Sequence, residues 1–548
     1  MEKRENNSNT KKSTLGDLGV LKFFLLLIVS FALIQCTNIK EESNTVKNVI
    51  ILIPDGTASP LLTLTRWYND NNPLAVDSLI CGIVKTYNAD GTFPDSAPAG
   101  SSYGTGVKTI PPYIGIDSDA QPRVSVLELA RLKGLATGVV ATSEFPHATP
   151  AAFVCHFNNR ESGKYRNLAK QFIYNSPNIV FAGGEAYLDK NDYNGLLKPN
   201  EIELITSVSD FESKNELPES GNIWALFPDW KGSTEHLSYE CDRDSKKAPS
   251  LSEMTAKAIK LLSQNKNGFF LMLEGSQIDW AAHNNDPFAA VTDFIEFDKA
   301  VAVALEFAKK DNNTVVIVCP DHGTGGISIG NERSTGYTSM VIYDTIIKPL
   351  KEINYSGRKI AEMMIKDSAY ESENLLKEYL KKYNINNPSK ELLNSLKEEI
   401  KKENSGNIQR LLGKTFSLQN YIGWTTGGHT AEDVFLAIYA PKNVKKLSGT
   451  VENYEIGRYI ANILNLGDLD KSTEELFKKH TAFFSKDEII SPPNSDSLVV
   501  MKNGKKLTFE SNTNVLKINE EKEVRLPSII VCIDEVYYLP ELIRDYYK

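Results

Sequence analysis

Short apolar runs recur along the chain from Val46 onward, and each of them ends in acidic residues or glycine. The runs cover residues 49–53, 135–141, 179–182, 269–273 and 315–319. Apolar runs of this length, without polar alternation, are typical of strands buried on both faces. We therefore expect these segments to form strands of a sheet that is covered on both sides.

Helical patterns lie between the apolar runs. Residues 125–133 open with a capping box, Ser125 with Glu128, and stop at Gly134. Residues 252–262 and 289–310 carry apolar side chains at three- and four-residue spacing. This alternation predicts an α/β fold with a mostly parallel sheet sandwiched between helices. Ligands of such sheets bind beyond the carboxyl ends of the strands, where the acidic residues and histidines of this chain accumulate.

Three stretches depart from this alternation. Residues 185–250 are polar with little periodicity, and residues 350–415 are rich in Lys and Glu with a helical pattern, so both are expected as insertions. We expect the second to form solvated helices, including 373–382 and 390–402, rather than a binding surface. Residues 496–548 alternate around Asn503-Gly504, which indicates a hairpin and predicts a small β-rich C-terminal domain ending in a short helix over 540–547.

The N-terminus has the pattern of an export signal. Basic residues precede an apolar run from Phe23 to Ile34, which only Ser30 interrupts. About a dozen apolar residues are too few to span a membrane comfortably, but they suit a signal peptide. The run leads into Leu33-Ile34-Gln35-Cys36, which resembles the lipobox of bacterial lipoproteins, although Gln35 replaces the usual small residue.

These features predict a signal peptide over residues 1–36, a lipid anchor at Cys36 and a polar tether over 37–46. The alternative is an uncleaved anchor. Both predict that the remaining chain lies outside the cytoplasm, in the periplasm or on the cell surface.

The bulk composition narrows the class of partner. A chain of 548 residues with a net charge of −9 and no dense basic stripe beyond its N-terminus argues against nucleic acid. The cysteines after Cys36 are odd in number and show no paired spacing, so neither a disulfide framework nor a cysteine metal site is indicated. An anionic substrate would need local positive charge, which metal ions can supply.

The stretch Pro94-Asp95-Ser96-Ala97-Pro98-Ala99-Gly100-Ser101-Ser102 holds one Asp-Ser pair among small residues. Composition alone favours a flexible surface loop. The other interpretation is a serine presented on a tight turn to a group that makes it nucleophilic.

Acidic residues and histidines at several strand ends suit metal binding. Asp279 and His283 are four residues apart and share a face if their segment is helical. With His429, which follows a glycine-rich turn, they suit zinc with an open position for water. Two further sets are Asp55, Asp321 and His322 beside Ser96, and Asp55, Glu274 and Thr149, of which the last suits magnesium. Each histidine taken singly is more often a packed residue, but their joint clustering favours metals.

Over roughly residues 46–480 the chain resembles the alkaline phosphatase family. The motifs stand in family order: Asn48 through Asp55-Gly56, Asp95-Ser96-Ala97 through Lys108-Thr109, His147-Ala-Thr149 with Arg160, Glu274-Gly through Asp279 and His283, Asp321-His322, and Gly428-His429-Thr430. The resemblance implies an alkaline phosphatase-like catalytic domain over residues 47–485, and it is compatible with a homodimer, since dimers are common in the family.

The resemblance also implies roles for individual residues. Ser96 corresponds to the nucleophile, and Arg160 to the arginine that grips two phosphoryl oxygens. The implied ligands are Asp279, His283 and His429 for a first Zn²⁺; Asp55, Asp321, His322 and Ser96 for a second Zn²⁺; and Asp55, Thr149 and Glu274 for one Mg²⁺. His147 stands where some members carry an aspartate that orders the water on magnesium, and Trp280 where some carry a lysine or histidine near phosphate.

The implied activity is metal-dependent hydrolysis of small phosphate monoesters through a phosphoserine intermediate. The alternatives are a phosphodiesterase or sulfatase of the same superfamily, or a surface lipoprotein that binds phosphate without turnover. Ser96-Ala-Pro98-Ala-Gly100 matches a sulfatase motif except for its arginine, which argues against a sulfate ester. No ligand or nucleophile is lost, which argues against the non-catalytic alternative.

Overall fold

The computed structural model describes residues 44–161, 165–188, 193–218, 221–228, 236–334, 343–492 and 496–548. The predicted signal peptide, the Cys36 anchor and nearly all of the tether lie outside these ranges. Within them, no helix has the length and apolar character that crossing a bilayer requires. Thr45–Lys548 form one compact unit.

The strands up to residue 452 form one large sheet and two small two-stranded sheets. They are β1 (Asn48–Ile53), β2 (Ile80–Lys85), β3 (Ala136–Glu144), β4 (Ile179–Gly183), β5 (Ile202–Ile205), β6 (Asn222–Leu226), β7 (Phe269–Glu274), β8 (Thr314–Val318), β9 (Gly323–Thr324), β10 (Ile327–Ile329), β11 (Ile422–Trp424), β12 (His429–Thr430), β13 (Val434–Tyr439) and β14 (Gly449–Glu452). In the described part of the chain, ten of them form one sheet in the order β14-β2-β13-β8-β1-β7-β3-β4-β6-β5.

This sheet is mostly parallel, as the sequence predicts. β1 pairs in parallel with β7 and β8, whereas β13 runs antiparallel to both of its neighbours. Alternate side chains of β1 feed two cores: Ile50 and Leu52 join one, while Val49, Ile51 and Ile53 join the other. The central strands are therefore buried on both faces, which explains their unbroken apolar sequences.

Helices cover both faces of the sheet. They are α1 (Ser59–Tyr68), α2 (Ser96–Thr105), α3 (Val126–Leu132), α4 (Ala148–Ala151), α5 (Tyr165–Asn175), α6 (Val208–Ser213), α7 (Leu251–Leu262), α8 (Gln277–His283), α9 (Pro287–Asp311), α10 (Tyr343–Lys351), α11 (Gly357–Lys366), α12 (Glu373–Lys382), α13 (Lys390–Lys401), α14 (Ser405–Gln419), α15 (Asn453–Ile463), α16 (Leu469–Leu476) and α17 (Arg544–Tyr547). The predicted capping box of α3 is present, with Ser125 and Glu128 bonded to each other's backbone N–H groups.

The two expected insertions differ in structure. The polar stretch 185–250 contributes β5 and β6, which extend the large sheet instead of standing apart from it. β5 is a short strand at the edge of the sheet, and its sequence lacks a continuous apolar run because the exposed Glu203 interrupts it. The Lys/Glu-rich stretch forms α11 to α14, and their apolar faces pack into one of the two sheet cores through residues such as Ile360, Leu396 and Leu412.

The C-terminal β-rich region holds β15 (Lys478–Lys479), β16 (Ser497–Lys502), β17 (Lys505–Glu510), β18 (Val515–Ile518), β19 (Lys522–Arg525), β20 (Val531–Ile533) and β21 (Val536–Leu539). The hairpin at Asn503-Gly504 joins β16 to β17, as its sequence indicates. The region reaches further back than residue 496, because β15 pairs with β21 and Phe483 and Phe484 lie in its core. We call residues 477–548 the appendage.

Candidate active site

The acidic residues singled out in the sequence meet at the carboxyl ends of the central strands. Glu274, the last residue of β7, is level with Ile53 of β1 and Ala141 of β3. Asp55 follows β1 by two residues, and Asp321 follows β8 by three. Parallel strands end at one edge of a sheet, so residues far apart in sequence converge there.

Ser96 is the first residue of α2 and is only 2% exposed, so the segment around it is not a flexible surface loop. Asp95 caps this helix, and its side chain accepts a hydrogen bond from the Ala97 N–H group at 3.3 Å. The Ser96 hydroxyl therefore lies at a helix N-terminus, where the backbone N–H groups and the helix dipole favour an anion. Small residues allow this placement: a Cβ at Gly100 would lie 3.1 Å from the Cβ of Ala152.

One group of ligand atoms comprises Asp279, His283 and His429. Asp279 and His283 share a face of α8, with His283 Nε2 3.2 Å from Asp279 Oδ2. His429 Nε2 lies 3.1 Å from His283 Nε2. The opposite nitrogens are engaged elsewhere, since His283 Nδ1 donates to the Gly427 carbonyl at 2.7 Å and His429 Nδ1 to the Pro94 carbonyl at 2.9 Å. Both rings thus turn Nε2 toward the group, and this nitrogen can bind a metal once it is deprotonated.

A second group comprises Asp55, Asp321 and His322, all completely buried. His322 Nε2 lies 3.6 Å from Asp55 Oδ1, 3.3 Å from Asp321 Oδ2 and 3.2 Å from Ser96 Oγ. The nucleophile candidate therefore borders this group directly. Gly56 has a φ of +67°, and a Cβ there would lie 2.5 Å from Asp279 Oδ1, so the loop after β1 needs glycine to pass so close.

The third group comprises Asp55, His147 and Glu274, whose ligand atoms lie within 4.8 Å of one another. Thr149 is fully buried on α4, and Glu274 Oε2 also accepts a hydrogen bond from the Ser143 hydroxyl at 3.3 Å. Burial lowers the pKa of His147 to about 3, with the Arg160 charge adding to the effect. His147 is therefore neutral at physiological pH, the form in which imidazole binds a metal.

Divalent cations suit these groups because buried polar atoms are left without partners. Asp55 Oδ1 and Oδ2, His147 Nδ1, Thr149 Oγ1, Glu274 Oε1 and Asp321 Oδ2 have no hydrogen-bond partner among the described residues. Burying such atoms unpaired is costly, and a cation held between them removes that cost. The oxygen and imidazole donors that gather here are those that zinc and magnesium use.

Proximity also perturbs the acids of the site. Burial raises the pKa of Asp55 well above its usual value, and the charges of Asp321, Asp279 and Glu274 raise it further. Burial likewise raises the pKa of Glu274 to about 7 and that of Asp321 to about 6. Burial works against the ionised form of Asp279 too, but His283 overcomes it and lowers the pKa. Such repulsion between buried carboxylates is what bound cations relieve.

Arg160 stands beside the nucleophile candidate. Its guanidinium donates to Asp95 Oδ1 at 2.6 Å, and Nη2 lies 3.5 Å from His147 Nε2. Burial alone would raise the pKa of Asp95, but the Arg160 charge overcomes this and lowers it. The residue that caps the Ser96 helix thus also holds an arginine next to Ser96. A planar fork in this position suits two oxygens of a phosphoryl group.

The structure brings every predicted site residue to this edge of the sheet, and it adds Thr324, which the sequence did not single out. The Thr324 hydroxyl donates to Asp279 Oδ1 at 2.6 Å and lies 3.2 Å from His322 Nδ1, so it links two groups of ligand atoms. Its pairing with His429 across β9 and β12 could not be foreseen from sequence. Lys108, which belongs to the Ser96 motif, instead contacts Glu452 and the Tyr87 carbonyl.

Comparison with known proteins agrees with this architecture. The family model described as alkaline phosphatase matches residues 46–466. Alkaline phosphatase 3 of Bacillus subtilis is 35% identical over 439 residues, covering 78% of this chain and 90% of that protein.

Two solved structures extend the likeness to the fold. The cold-active alkaline phosphatase of a psychrophilic Shewanella sp. has a TM-score of 0.66 at 27% identity, covering 76% of this chain and 99% of that one. A histidine-to-aspartate mutant of TAB5 alkaline phosphatase with Mg bound in its M3 site has a TM-score of 0.56 at 26% identity, with 77% and 99% covered. The chain belongs to the alkaline phosphatase family, and it is a phosphatase.

Proposed function

We propose that this enzyme hydrolyses phosphate monoesters through a covalent phosphoserine at Ser96. One observation carries the proposal. The Ser96 hydroxyl is buried at the N-terminus of α2, 3.2 Å from His322 Nε2, beside carboxylate oxygens that lack partners among the described residues. A serine hydroxyl is a weak nucleophile unless its surroundings stabilise the ionised oxygen, and cations held by the neighbouring carboxylates and imidazoles would do so.

Two zinc ions and one magnesium ion are the proposed cofactors. Asp279, His283 and His429 would hold the first zinc; Asp55, Asp321, His322 and Ser96 the second; Asp55, His147, Thr149 and Glu274 the magnesium. Imidazole nitrogens in the first two groups favour zinc, and the oxygen-rich third group favours magnesium. When bound, such ions neutralise phosphoryl charge and stabilise alkoxide and hydroxide oxygens.

The residues of the chain then supply position and complementary charge. Ser96 Oγ forms a bond to phosphorus while the bond from phosphorus to the ester oxygen breaks and the alcohol departs. Water next attacks phospho-Ser96, which releases inorganic phosphate and restores the hydroxyl. Arg160 holds two phosphoryl oxygens, Asp95 fixes the guanidinium, and the N–H groups that open α2 face the phosphoryl charge. A doubly charged monoester uses all of these contacts, so it fits better than a diester.

The Ser96→Ala variant tests the proposal. We expect turnover of an aryl phosphate to fall by at least about a thousandfold, because the nucleophile is lost. Ser102→Ala is the matched control, since Ser102 lies in the same helix and donates only to the Pro98 carbonyl. Mass spectrometry of acid-quenched enzyme should find phosphate on the Ser96 peptide. Undiminished turnover in Ser96→Ala contradicts the proposal.

Substrate profiling separates the remaining alternatives. We expect the aryl phosphate monoester to be cleaved faster than the matching diester and sulfate ester, and a chelator to abolish the reaction. Faster diester cleavage would indicate a phosphodiesterase, and faster sulfate cleavage a sulfatase. Phosphate binding without turnover of any ester would indicate the non-catalytic alternative.

We also propose, from the sequence, export by residues 1–36 and lipid attachment at Cys36, which places the enzyme at a periplasmic or outer cell surface. Metabolic labelling with palmitate should label the wild type but not Cys36→Ser, and equal labelling contradicts the anchor. We further propose a homodimer. Sedimentation that gives the mass of one chain at every concentration contradicts it.

A further inference from the structure

The appendage lies beyond residue 466, where the match to the family model ends, and the proposed reaction assigns it no role. Its turn between β17 and β18 nevertheless packs against α5, which follows Arg160 in the chain. Lys170 pairs with Glu510 at 2.6 Å, and the Asn514 amide donates to the Tyr174 carbonyl at 3.1 Å. Between these contacts, Gln171 Nε2 donates to Asn512 Oδ1 at 2.9 Å.

Gln171 connects this turn to the segment that leads to Arg160. The residue is completely buried. Its Oε1 accepts from the His156 N–H group at 2.8 Å, and its Nε2 donates to the His156 carbonyl at 3.0 Å. The second hydrogen on Nε2 is the one that Asn512 accepts. The Gln171 side-chain amide therefore binds both the N–H and the carbonyl group of His156. Asn512 of the appendage accepts its remaining hydrogen.

His156 is held on its other sides as well. Its Nδ1 lies 2.8 Å from the Gly115 carbonyl, and its Nε2 lies 3.0 Å from Glu128 Oε1. Phe477, the first residue of the appendage, places its ring 4.7 Å from the imidazole. Phe157, the residue after His156, pairs with Ile114 through an isolated β-bridge. The chain is thus fixed four residues before Arg160.

A second contact lies closer to the arginine. Asn158 Nδ2 is 3.5 Å from Asp534 Oδ1, at the tip of the β20–β21 hairpin. The segment 156–160 therefore contacts the appendage at two turns, directly through Asn158 and by way of Gln171 at His156. At the far end of this segment, Arg160 reaches Asp95 and comes within 3.5 Å of His147.

We propose that the appendage positions Arg160, with Asn512 and Gln171 as the positioning residues. This inference rests on the proposed function, in which Arg160 binds the phosphoryl group. Asn512 accepts the hydrogen that would otherwise leave a buried amide donor unsatisfied, and this fixes the orientation in which Gln171 grips His156. Small displacements of a group that binds phosphate are costly, because its two hydrogen bonds depend on geometry.

The test exploits the backbone at Asn512, whose φ of +62° is one that Asn, Asp and Gly adopt readily. Asn512→Gly removes the acceptor, whereas Asn512→Asp keeps an oxygen for Gln171. Asn519→Gly is the matched control: Asn519 has a φ of +51° in another turn of the appendage, where its side chain accepts from the Lys506 N–H group at 2.9 Å.

We expect Asn512→Gly to raise both the KM for an aryl phosphate and the Ki for inorganic phosphate about fivefold, the effect of one lost hydrogen bond. Asn512→Asp and Asn519→Gly should stay within about twofold of the wild type. Equal Ki values in Asn512→Gly and Asn519→Gly overturn the inference. Melting temperatures of all variants show whether a change in Ki accompanies a loss of fold.

A double-mutant cycle with Arg160→Ala separates this inference from the proposed function. If the appendage acts through Arg160, adding Asn512→Gly to Arg160→Ala leaves the Ki for phosphate unchanged. An equal further rise in that background overturns the inference and leaves the proposed function standing. If Arg160→Ala itself does not alter the Ki, the proposed role of Arg160 fails, and the inference that rests on it fails with it.

Discussion

At the scale of single residues, the hydrogen-bond partners of the Nδ1 atoms fix how three of the four site histidines are oriented. Nδ1 of His283 and of His429 donates to a backbone carbonyl, and Nδ1 of His322 lies 3.2 Å from the Thr324 hydroxyl. Each of these rings therefore presents Nε2 inward. His147 is arranged differently, with an unpartnered, buried Nδ1 among the described residues and Nε2 beside Arg160. This difference sets His147 apart from the other three proposed ligand histidines.

We predict that His147→Asp strengthens magnesium binding about tenfold. Substituting one residue of a metal site commonly changes the metal affinity by about this factor. Aspartate adds a charged oxygen, which magnesium prefers to imidazole. Activity regained by chelator-treated enzyme as magnesium is added measures the effect. His147→Asn is the control of equal shape without charge. If His147→Asp and His147→Asn regain half of their activity at the same magnesium concentration, the prediction is wrong.

Trp280 forms part of the rim of the site. Its ring centroid lies 5.7 Å from that of His147 and 5.0 Å from that of His236. We predict that Trp280→Lys lowers the Ki for inorganic phosphate about fivefold, because an ammonium near the bound anion adds a charged contact. Inhibition of aryl phosphate hydrolysis by phosphate measures it. Trp280→Phe keeps an aromatic ring and should leave the Ki near the wild-type value, and an equal change in both variants would rule out a charge effect.

At the scale of elements, the sequence predicted the features that depend only on residues close together in the chain. The central strands, the capping box of α3 and the shared face of Asp279 and His283 follow from spacing alone. Contacts between elements did not follow. Thr324 meets Asp279 where β9 returns beside β12, and the short edge strand β5 carries no apolar run. The ligand roles came from a resemblance to a family, since spacing shows donors but not which of them meet.

The start of α3 combines a helix cap with a buried ion pair. Glu128 Oε2 accepts from the Ser125 N–H group at 2.9 Å, while Oε1 lies 3.0 Å from His156 Nε2. Burial lowers the pKa of His156, but Glu128 outweighs this and raises it; burial raises the pKa of Glu128, but His156 outweighs this and lowers it. Both shifts favour the charged pair.

The pair therefore stabilises the fold most between the two unperturbed pKa values, from about pH 4.3 to about 6.5. The His156 contribution is complete below about pH 6.5 and is lost as the pH rises through its raised pKa. The Glu128 contribution is present above about pH 4.3 and is lost as the pH falls through its lowered pKa. A rising pH thus reduces the stabilisation by His156.

We predict that Glu128→Gln destabilises the protein by about 2 kcal/mol at pH 6, and by less at pH 9, because the stabilisation by charged His156 falls as the pH rises through its raised pKa. Glutamine keeps the cap but not the charge. Melting temperatures at the two pH values measure the change. Glu253→Gln is the control, because Glu253 forms the same capping box with Ser250 on α7. A loss for Glu128→Gln that does not depend on pH would contradict the prediction.

At the scale of the whole molecule, the carboxyl edge of the large sheet holds buried acidic groups whose negative charge the protein itself does not neutralise. The chain carries a net charge of −9, and Asp55, Glu274 and Asp321 are fully buried together. Without cations, protons must take their place, as the raised pKa values of these acids show. The stability of the metal-free protein is therefore linked to pH through the candidate active site.

Between pH 7 and 9 the folded, metal-free protein binds more protons than the unfolded chain. The pKa of Asp55 is raised well above its usual value, that of Glu274 to about 7 and that of His283 to about 9. His147 and His429, with pKa values lowered to about 3 and about 4, are neutral when folded, and in the unfolded chain they are neutral above about pH 6.5, so they add nothing here. Stability without metal must then fall as the pH rises.

We predict that chelator-treated enzyme loses a few degrees of melting temperature between pH 7 and 9, at about 1 °C for each kcal/mol in a unit of this size, while enzyme loaded with zinc and magnesium loses less. Bound cations keep the carboxylates ionised in the folded state, so folding then takes up fewer protons. Asp55→Asn removes one raised acid and should shrink the loss in the chelated sample. If the melting temperature falls equally steeply with pH with and without chelator, these carboxylates do not share bound cations. That result would contradict the proposed metal sites beside Ser96.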